Sequence, residues 1–540
     1  MTTTDPANAA DFPIVWKEPD DATLTWDRDD MHMPFPIGPM TEDYIGILTE
    51  GMAYNVRKMD VPYDILSRVW NGYVYFAGRP TVPAEDEKSA LAAYTERKRA
   101  VIATAIDYWE GTAMPAVRAL DAWSASTDVE ALAPDELAEA WTVGWALSER
   151  AWQTHFHAIR GPYQITDDLS DAYERAVPDA SPGEALRLIQ GRADVLHEVE
   201  AGLDRLAEIV AAEPELRDAI HAGTHSPEAL RGLRGGPAFL AALGTFLDAH
   251  GHLGGSFDDL AFPSWGEDPS IVLGDVGRRL ASDIEPAEVR RSRLRAEADE
   301  LADRVRARLA ERPDDLAEFE RLLAAGREVG PLTEIHNYWI DRLVQARLRR
   351  FVLQVGARLV ALGVIATADD ILYLRYAEVP DRLRHPSSAE ALVAERRAEH
   401  RRRTGLTPPM KVGHVPDAPP ETDRFDGARY TPTDATHLRG TGASAGIVRG
   451  VARVVLGPHD FDKVEPGDLI VAPSSNPSWV PLFAIAGGLL TNTGGVLCHA
   501  AVVAREFGLP AVVGLGDATT RIADGAMVEL DGSTGLVRIL

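Results

Sequence analysis

The stretch TNTGGVLCHAAVVAREFGLPAVVG, residues 491–514, fixes the local fold near the end of this chain. Gly494 and Gly495 favour a tight turn, because a residue without a Cβ adopts positive φ angles readily. The apolar spacing that follows predicts a short helix beginning at His499, with Gly508 as its C-terminal cap. His499 is therefore expected at the N-terminus of a helix, directly behind a glycine turn.

The position of His499 indicates a particular chemistry. A helix N-terminus presents free N–H groups and the positive end of the helix dipole, so it disfavours imidazolium and favours an added anion. A neutral imidazole is a good nucleophile toward phosphorus. The pattern therefore predicts that His499 carries a phosphoryl group, and the structural alternative is a histidine that only caps a helix.

Short β-like runs bounded by Gly, Pro, Asp or Asn surround this helix. They read GIVRGVARVVL, DLIVAPS, GGLLTN, AVVG and AMVELDGSTGLVRIL, and the last contains the hairpin signal DGSTG. We expect residues 438–540 to form a compact α/β domain. Residues 406–437 are rich in Pro, Gly and Asp and are expected to be its linker.

Upstream of the linker, residues 1–405 are expected to form a mainly α-helical domain. Apolar residues repeat at i, i+3, i+4 and i+7 in segments such as LRLIQGRADVLHEVEAGLDRLAEIVAA. Residues 1–45 are expected to be irregular, and two loops are expected, at 250–270 and at 327–343, the second of which soon becomes helix again. The fold class predicted is thus multidomain, with a mainly α-helical domain followed by a small α/β domain.

Composition narrows the partners and the compartment. The 540 residues carry a formal net charge of −28, which argues against nucleic acid and anionic membranes as partners. The single cysteine, Cys498, excludes a disulfide framework or a cysteine-rich metal site within these residues, and no metal site is predicted. No secretory signal and no long apolar run are present, so a cytoplasmic location is expected.

The stretch at 491–514 resembles the phosphohistidine swivelling domain of the phosphoenolpyruvate (PEP)-utilising enzymes, which include pyruvate phosphate dikinase and rifampin phosphotransferase. Their pattern T-x-x-G-G-x-x-[CST]-H-A-A-x-x-A-R-E-x-G-x-P-A-V-V-G is met throughout, and the similarity extends over 438–540. The resemblance implies that His499 is the phosphorylated residue. Members with Ser or Thr at the place of Cys498 make a thiol nucleophile the less favoured alternative. The supporting residues implied are Cys498, Thr491, Gly494, Gly495 and Arg505.

Residues 1–400 resemble, more loosely, the helical acceptor-binding domain of rifampin phosphotransferase. The similar stretches include WDRDDMHMPFPIGPMTEDY, HGHLGGSFDDLAFPSWGEDPS and REVGPLTEIHNYWIDRL. A hydroxyl acceptor needs a base and cations that steady the transferred group. The acceptor-site candidates are His250, His252, Arg327, Glu328, Glu334 and His336. The structural alternatives are a loop histidine bonded to backbone for His252, an exposed helix pair for Arg327 and Glu328, and a structural hydrogen-bonded pair for Glu334 and His336.

Some residues depart from that family's pattern. Leu253 replaces an arginine, Phe257 or Asp258 stands near the place of a glutamate, and Leu332 stands about where rifampin phosphotransferase has a lysine. These departures imply a different acceptor chemistry. The aromatic residues of WNGYVYF could line a pocket, although such residues more often belong to a core.

No ATP-grasp segment, P-loop or PEP-binding barrel is recognisable in the sequence. An acceptor domain followed by a histidine domain resembles the larger subunit of a split enzyme, similar to phenylphosphate synthase. The resemblance implies that MgATP is bound by a separate ATP-grasp subunit, with dikinase chemistry and a hydroxyl acceptor, foremost a phenol. The alternatives are a non-enzymatic phosphocarrier and a subunit of a rifampin-type antibiotic phosphotransferase.

Overall fold

The fold was obtained as a computed structural model that describes residues 12–540 except 182, 193, 225, 255–258, 282–283, 415–435, 476–478 and 497. The chain divides into two compact units. Unit 1 comprises Met1–Gly161, Phe257–Phe262 and Trp339–Pro419, and unit 2 comprises Pro162–Ser256, Pro263–Tyr338 and Pro420–Leu540. Most of the predicted linker lies outside the described residues, and the domain boundaries at 405 and 437 stay a prediction.

The α-helices are α1 (Pro39–Met59), α2 (Glu87–Ile102), α3 (Ala105–Tyr108), α4 (Met114–Ser126), α5 (Pro134–Ala158), α6 (Arg160–Ala176), α7 (Asp194–Ala211), α8 (Pro214–His221), α9 (Pro227–Leu230), α10 (Gly236–His250), α11 (Ser270–Ala281), α12 (Ala287–Leu309), α13 (Pro313–Val329), α14 (Leu332–His336), α15 (Gln345–Ala361), α16 (Val379–Arg384), α17 (Glu390–Arg403), α18 (Val480–Phe483), α19 (His499–Phe507) and α20 (Ala518–Arg521). Two π-helical segments are Trp109–Ala113 and Asn337–Val344, and short 3-10 turns are Asp21–Thr23, Glu184–Ile189, Ala368–Tyr373, Tyr376–Glu378 and Pro458–Lys463.

The strands are β1 (Thr25–Arg28), β2 (Tyr63–Trp70), β3 (Tyr73–Pro80), β4 (Lys411–Gly413), β5 (His437–Arg439), β6 (Thr441–Ser444), β7 (Ile447–Val454), β8 (Leu469–Ala472), β9 (Gly488–Thr491), β10 (Ala511–Val513), β11 (Met527–Asp531) and β12 (Leu536–Ile539). Among the described residues, no helix is both long enough and apolar enough to cross a membrane.

Unit 1 contains an antiparallel sheet that the helical pattern of the sequence did not predict. Its strand order is β2-β3-β1-β4. Strands β2 and β3 form a hairpin whose turn is Asn71–Gly72, with φ angles of 51° and 82°, as a two-residue hairpin turn requires. Trp70, Tyr73 and Tyr75 are buried in a core cluster of this sheet. In unit 1 these aromatic residues therefore belong to the core.

The sheet of unit 2 has eight strands in the order β5-β12-β11-β7-β8-β9-β10-β6. Strands β7, β8, β9 and β10 pair in parallel, and the outer pairings are antiparallel. The predicted β runs and the hairpin between β11 and β12 are confirmed. So is the helix α19, which ends at Gly508 with a φ of 63°. Because α19 connects the neighbouring parallel strands β9 and β10, its N-terminus lies at the carboxyl ends of these strands, where α/β folds bind ligands.

The helical part of unit 2 has a buried network of charges at its centre. The Arg279 guanidinium donates to Asp275 at 2.7 Å and to Glu200 at 2.8 Å, and Arg290 donates to Glu200 at 3.0 Å. Such a network is costly to break from one side, by about 3–5 kcal/mol, because the remaining charge stays buried. It therefore makes α7, α11 and α12 a rigid support for the loops around them.

The region 327–343 differs from the loop that the sequence predicted. α13 continues to Val329, α14 begins at Leu332, and the π-helical segment follows at once. The break is confined to Gly330 and Pro331, because a proline is tolerated in the first turn of a helix. Pro313, in the same way, is the first residue of α13.

Candidate functional site

His499 is the first residue of α19, and Cys498 is its N-cap residue. The His499 side chain is 9% exposed, and its Nδ1 lies 2.7 Å from Oε2 of Glu334. Its Nε2 atom is buried and has no hydrogen-bond partner within the part of the chain that the structure describes. His499 of α19 and Glu334 of α14, both predicted as site residues from the sequence, thus contact each other within unit 2.

This contact decides which nitrogen of His499 can react. An ionised carboxylate only accepts hydrogen bonds, so Glu334 requires a proton on Nδ1. In the neutral ring the lone pair is then on Nε2, the atom that has no partner. The arrangement resembles the carboxylate–histidine pairs that fix a tautomer in catalytic triads. His499 is therefore oriented as an Nε2 nucleophile.

Arg505 and Thr491 hold the loop that precedes α19. Arg505 is buried and donates to the Ala443 carbonyl at 2.9 Å and to the Val496 carbonyl at 2.8 Å. Burial lowers the pKa of Arg505 to about 10. The Thr491 hydroxyl donates to the Thr493 carbonyl at 2.7 Å. Both side chains bind backbone, so they shape the turn around His499.

Gly494 has a φ of 110°, as its predicted role in the turn requires, whereas Gly495 is not among the residues with positive φ. A Cβ at position 494 would lie 2.5 Å from the Cys498 sulfur. This close approach explains why the residue four positions before the N-cap residue Cys498 is a glycine.

We expect Gly494→Ala to destabilise the protein by about 2 kcal/mol through backbone strain and the clash with Cys498, and to displace His499. The matched control is Gly467→Ala, at a φ of 88° where an added Cβ meets nothing within 4 Å. The control is expected to cost about 1 kcal/mol and to leave His499 in place. Thermal unfolding together with histidine phosphorylation measures both effects, and equal behaviour of the two variants would contradict the expectation.

Cys498 is not ionised at neutral pH, because burial raises the pKa of its thiol to about 11. A raised pKa means that the reactive thiolate forms only as the pH approaches 11. We therefore expect alkylation by iodoacetamide to be about 100-fold slower than that of free cysteine at pH 8. Since Cys498 is the single cysteine of the chain, the label reports it alone. A reaction as fast as that of the urea-unfolded chain would contradict this.

The three other histidines among the acceptor-site candidates contact a tyrosine or a backbone carbonyl. His250 Nδ1 lies 2.7 Å from the Tyr338 hydroxyl, and burial lowers the pKa of His250 to about 4. His252 is buried with its ring 4.5 Å from that of Tyr338. His336 donates from Nδ1 to the Leu332 carbonyl at 2.7 Å. These histidines are thus placed against a tyrosine and a backbone carbonyl.

Arg327 and Glu328 lie in the last turn of α13. Arg327 makes an ion pair with Asp299 at 2.7 Å and donates to the Leu188 carbonyl at 3.1 Å. Glu328 is exposed. Of the residues that depart from the family pattern, Leu253 and Leu332 are buried, and Phe257 and Asp258 lie outside the described residues.

A small cavity of about 30 Å³, open in part to solvent, adjoins the Glu334 side of the site. Its wall combines the helical part of unit 2 with α19. Sequence reasoning had identified Glu334 and Arg505 but had not singled out Glu506, whose side chain is buried. The polar lining residues are Thr166, Gln190, Thr333, Glu334, Arg505 and Glu506.

Two sequence families match parts of this chain, and both matches lie in unit 2 except for residues 257–262. Residues 464–535 match the family described as PEP-utilising enzyme, mobile domain. Residues 165–334 match the family described as rifampicin phosphotransferase fourth domain. The chain therefore contains a region similar to the mobile domain of the PEP-utilising enzymes and a helical region similar to the fourth domain of rifampicin phosphotransferase.

Individual curated relatives are similar to this chain over most of its length. The chain is 30% identical to a chondramide synthase of Chondromyces crocatus over 98% of its own length and 14% of the relative's. It is 25% identical to the phosphotransferase YvkC of Bacillus subtilis, over 95% of this chain and 62% of the relative. A rifampicin phosphotransferase of Streptomyces sviceus is 30% identical over 72% of this chain and 44% of that protein. The chain thus spans less than two thirds of each of these relatives.

Proposed function

We propose that this chain is a phosphotransferase subunit in which His499 accepts a phosphoryl group on Nε2 and passes it to a hydroxyl acceptor. The observation that carries the proposal is the pairing of His499 Nδ1 with Glu334, which leaves Nε2 unbonded. The matches to a mobile domain and to a rifampicin phosphotransferase domain support it.

In the first step, Nε2 of His499 attacks a phosphorus atom of the donor, an N–P bond forms and a P–O bond of the donor breaks. The proton on Nδ1 stays in the hydrogen bond to Glu334. The ring then carries positive charge, which the Glu334 carboxylate stabilises at close range, as it would in a triad.

In the second step, the acceptor oxygen attacks the same phosphorus, the N–P bond breaks and the acceptor proton goes to a base or to water. Because Nδ1 keeps its proton, the imidazole leaves as a neutral ring, which is a better leaving group than an imidazolate. We propose that the acceptor approaches through the partly open cavity beside Glu334. Glu334 would thus assist both steps without changing its own protonation.

The phosphoryl donor is proposed to be MgATP bound by a separate ATP-grasp subunit, with ATP converted to AMP and phosphate. The support is the resemblance to split phenol-phosphorylating enzymes, together with family matches that cover a helical domain and a mobile domain. The same resemblance supports a phenol as the acceptor. A rifampicin-type hydroxyl is the second candidate, because the relatives include rifampicin phosphotransferases.

The test mixes the chain with its ATP-grasp subunit, or with lysate of the source cells, and supplies ATP labelled separately at the β and γ phosphates. Acid-labile label from the β position on wild-type protein, absent from His499→Ala, is the expected result. Label from the γ position would contradict the dikinase part. Stable protein without label from either position, beside an active partner, would contradict the phosphotransferase role. Phenol and rifampicin added to labelled protein then compare the two acceptors.

A further inference from the structure

Glu506 lies at the opposite end of α19 from His499, and it is held by the helical part of unit 2. Both carboxylate oxygens are 2.9 Å from the Gly191 backbone nitrogen. One of them is 3.5 Å from Nε2 of His197. Glu506 is 6% exposed. A buried carboxylate on the matched mobile domain therefore accepts a hydrogen bond from Gly191, and lies near His197, on the segment that matches the rifampicin phosphotransferase domain.

Phe507, the next residue, contacts the same helical part. The Arg290 guanidinium lies 4.2 Å from the centre of the Phe507 ring, in a cation–π contact. Arg290 in turn donates to Glu200 of the buried charge network at 3.0 Å. Glu506 and Phe507 thus fix the C-terminal end of α19, while the contact between His499 and Glu334 fixes its N-terminal end.

Gly191 is shaped to receive the carboxylate. Its φ of 72° is in the left-handed region that glycine adopts easily. An added Cβ would lie 3.0 Å from Cγ of Arg295 and 3.2 Å from the Arg291 carbonyl oxygen. The Gly191 carbonyl accepts a bond from Arg295 Nε at 2.7 Å. The backbone of this turn is therefore held from one side by Arg295 while its N–H donates to Glu506.

From these contacts we propose that Glu506 is a positioning residue, which fixes the mobile domain in the one register where His499 meets Glu334. A buried carboxylate without donors is costly, so registers in which Glu506 misses Gly191 and His197 are disfavoured. The position of Glu506 thereby selects the arrangement in which His499 pairs with Glu334, a residue that lines the cavity. The docking contact stands on the geometry, and its kinetic consequence rests on the proposed phosphotransferase function.

The first measurement is hydrogen exchange at the Gly191 amide, by mass spectrometry with fragmentation, on the full chain. In Glu506→Gln this amide is expected to exchange at least about 10-fold faster, because a neutral amide oxygen accepts the Gly191 N–H more weakly than the carboxylate does. The matched control is Glu529→Gln, which removes a carboxylate that pairs with Arg449 within the sheet of the same domain. The control should leave Gly191 unchanged. Unchanged exchange in folded Glu506→Gln would overturn the docking contact.

A second variant covers the case in which Glu506→Gln does not fold. Phe507→Leu keeps the carboxylate and removes the ring beneath Arg290, and it is expected to raise exchange at Gly191 about threefold. Unchanged exchange in the folded Phe507→Leu protein would then overturn the inference.

The second measurement separates loading from transfer. Phosphoramidate serves as a small donor, whose N–P bond breaks as the bond from phosphorus to His499 Nε2 forms and ammonia leaves. Loading of Glu506→Gln is expected to be slower than that of the wild type, because His499 pairs with Glu334 less often, and transfer to phenol is expected to be at least about 10-fold slower. Transfer at the wild-type rate would overturn the positioning role. A wild-type chain that loads without transferring to phenol would contradict the proposed acceptor, while the Gly191 amide still decides the docking contact.

Discussion

His499→Ala protein is expected to fold normally, to carry no acid-labile phosphoryl group, and to lose turnover by at least about 10⁴-fold. The reason is that the change removes the atom that forms the N–P bond. Without it, the chain cannot hold the phosphoryl group between donor and acceptor. Because His499 is the first residue of α19, an alanine there is compatible with the helix, although the buried Glu334 loses its partner and the variant is expected to unfold at a lower temperature. Phosphorylation assays and thermal unfolding on the same samples measure both properties.

The matched control for this experiment is His221→Ala, which removes an exposed histidine at the end of α8. The control is expected to keep full phosphorylation and turnover. If His499→Ala still transferred phosphate to an acceptor at a substantial rate, the covalent mechanism would be wrong.

Glu334→Gln is expected to keep the fold and to slow phosphoryl transfer by about 100-fold or more. The glutamine oxygen can still accept the Nδ1 proton at similar geometry, but the negative charge that stabilises the charged ring is lost. The loss should appear in the rate constant of transfer, with a smaller change in the acceptor concentration for half-maximal rate. Glu334→Ala should have a larger effect because it also frees the tautomer of His499.

Nitrogen NMR of His499 gives a readout that a purely structural role would not change. The wild type is expected to show a single tautomer with the proton on Nδ1, and Glu334→Ala a mixture of both tautomers. The control is Glu318→Gln, on the exposed surface of the preceding helix α13, where the carboxylate pairs with Arg175, and it should change neither tautomer nor rate. A single Nδ1–H tautomer that persists in Glu334→Ala would show that Glu334 does not set it.

The strands, turns and helix around His499 could be predicted from the sequence because their signals are local. Gly508 as a cap and the hairpin turn before β12 are each determined by neighbouring residues. The hairpin of β2 and β3 was missed although Asn71–Gly72 is a strong turn signal. Its aromatic residues were interpreted as pocket or core candidates, and the alternation of the flanking strands was not recognised.

The site was only partly predictable, because it depends on long-range contacts. Glu334 is 165 residues from His499 in the chain, and no periodicity indicates which side chain of the α14 region reaches the ring. Arg327 and Glu328 were equally plausible candidates by resemblance, but the helix continues to Val329 and directs Arg327 to Asp299. Their roles in transfer, like those of the other candidates, stay predictions.

The two edges of the eight-stranded sheet are β5, with three residues, and β6, with four. A domain that leaves its docking surface in every catalytic cycle would repeatedly present its sheet edges to other copies of itself. Long, flat edges act as templates for strand addition and aggregation, whereas edges of three or four residues offer few backbone groups to pair with. Outer strands this short would therefore limit strand addition between copies of the chain if the domain undocks during the proposed transfer.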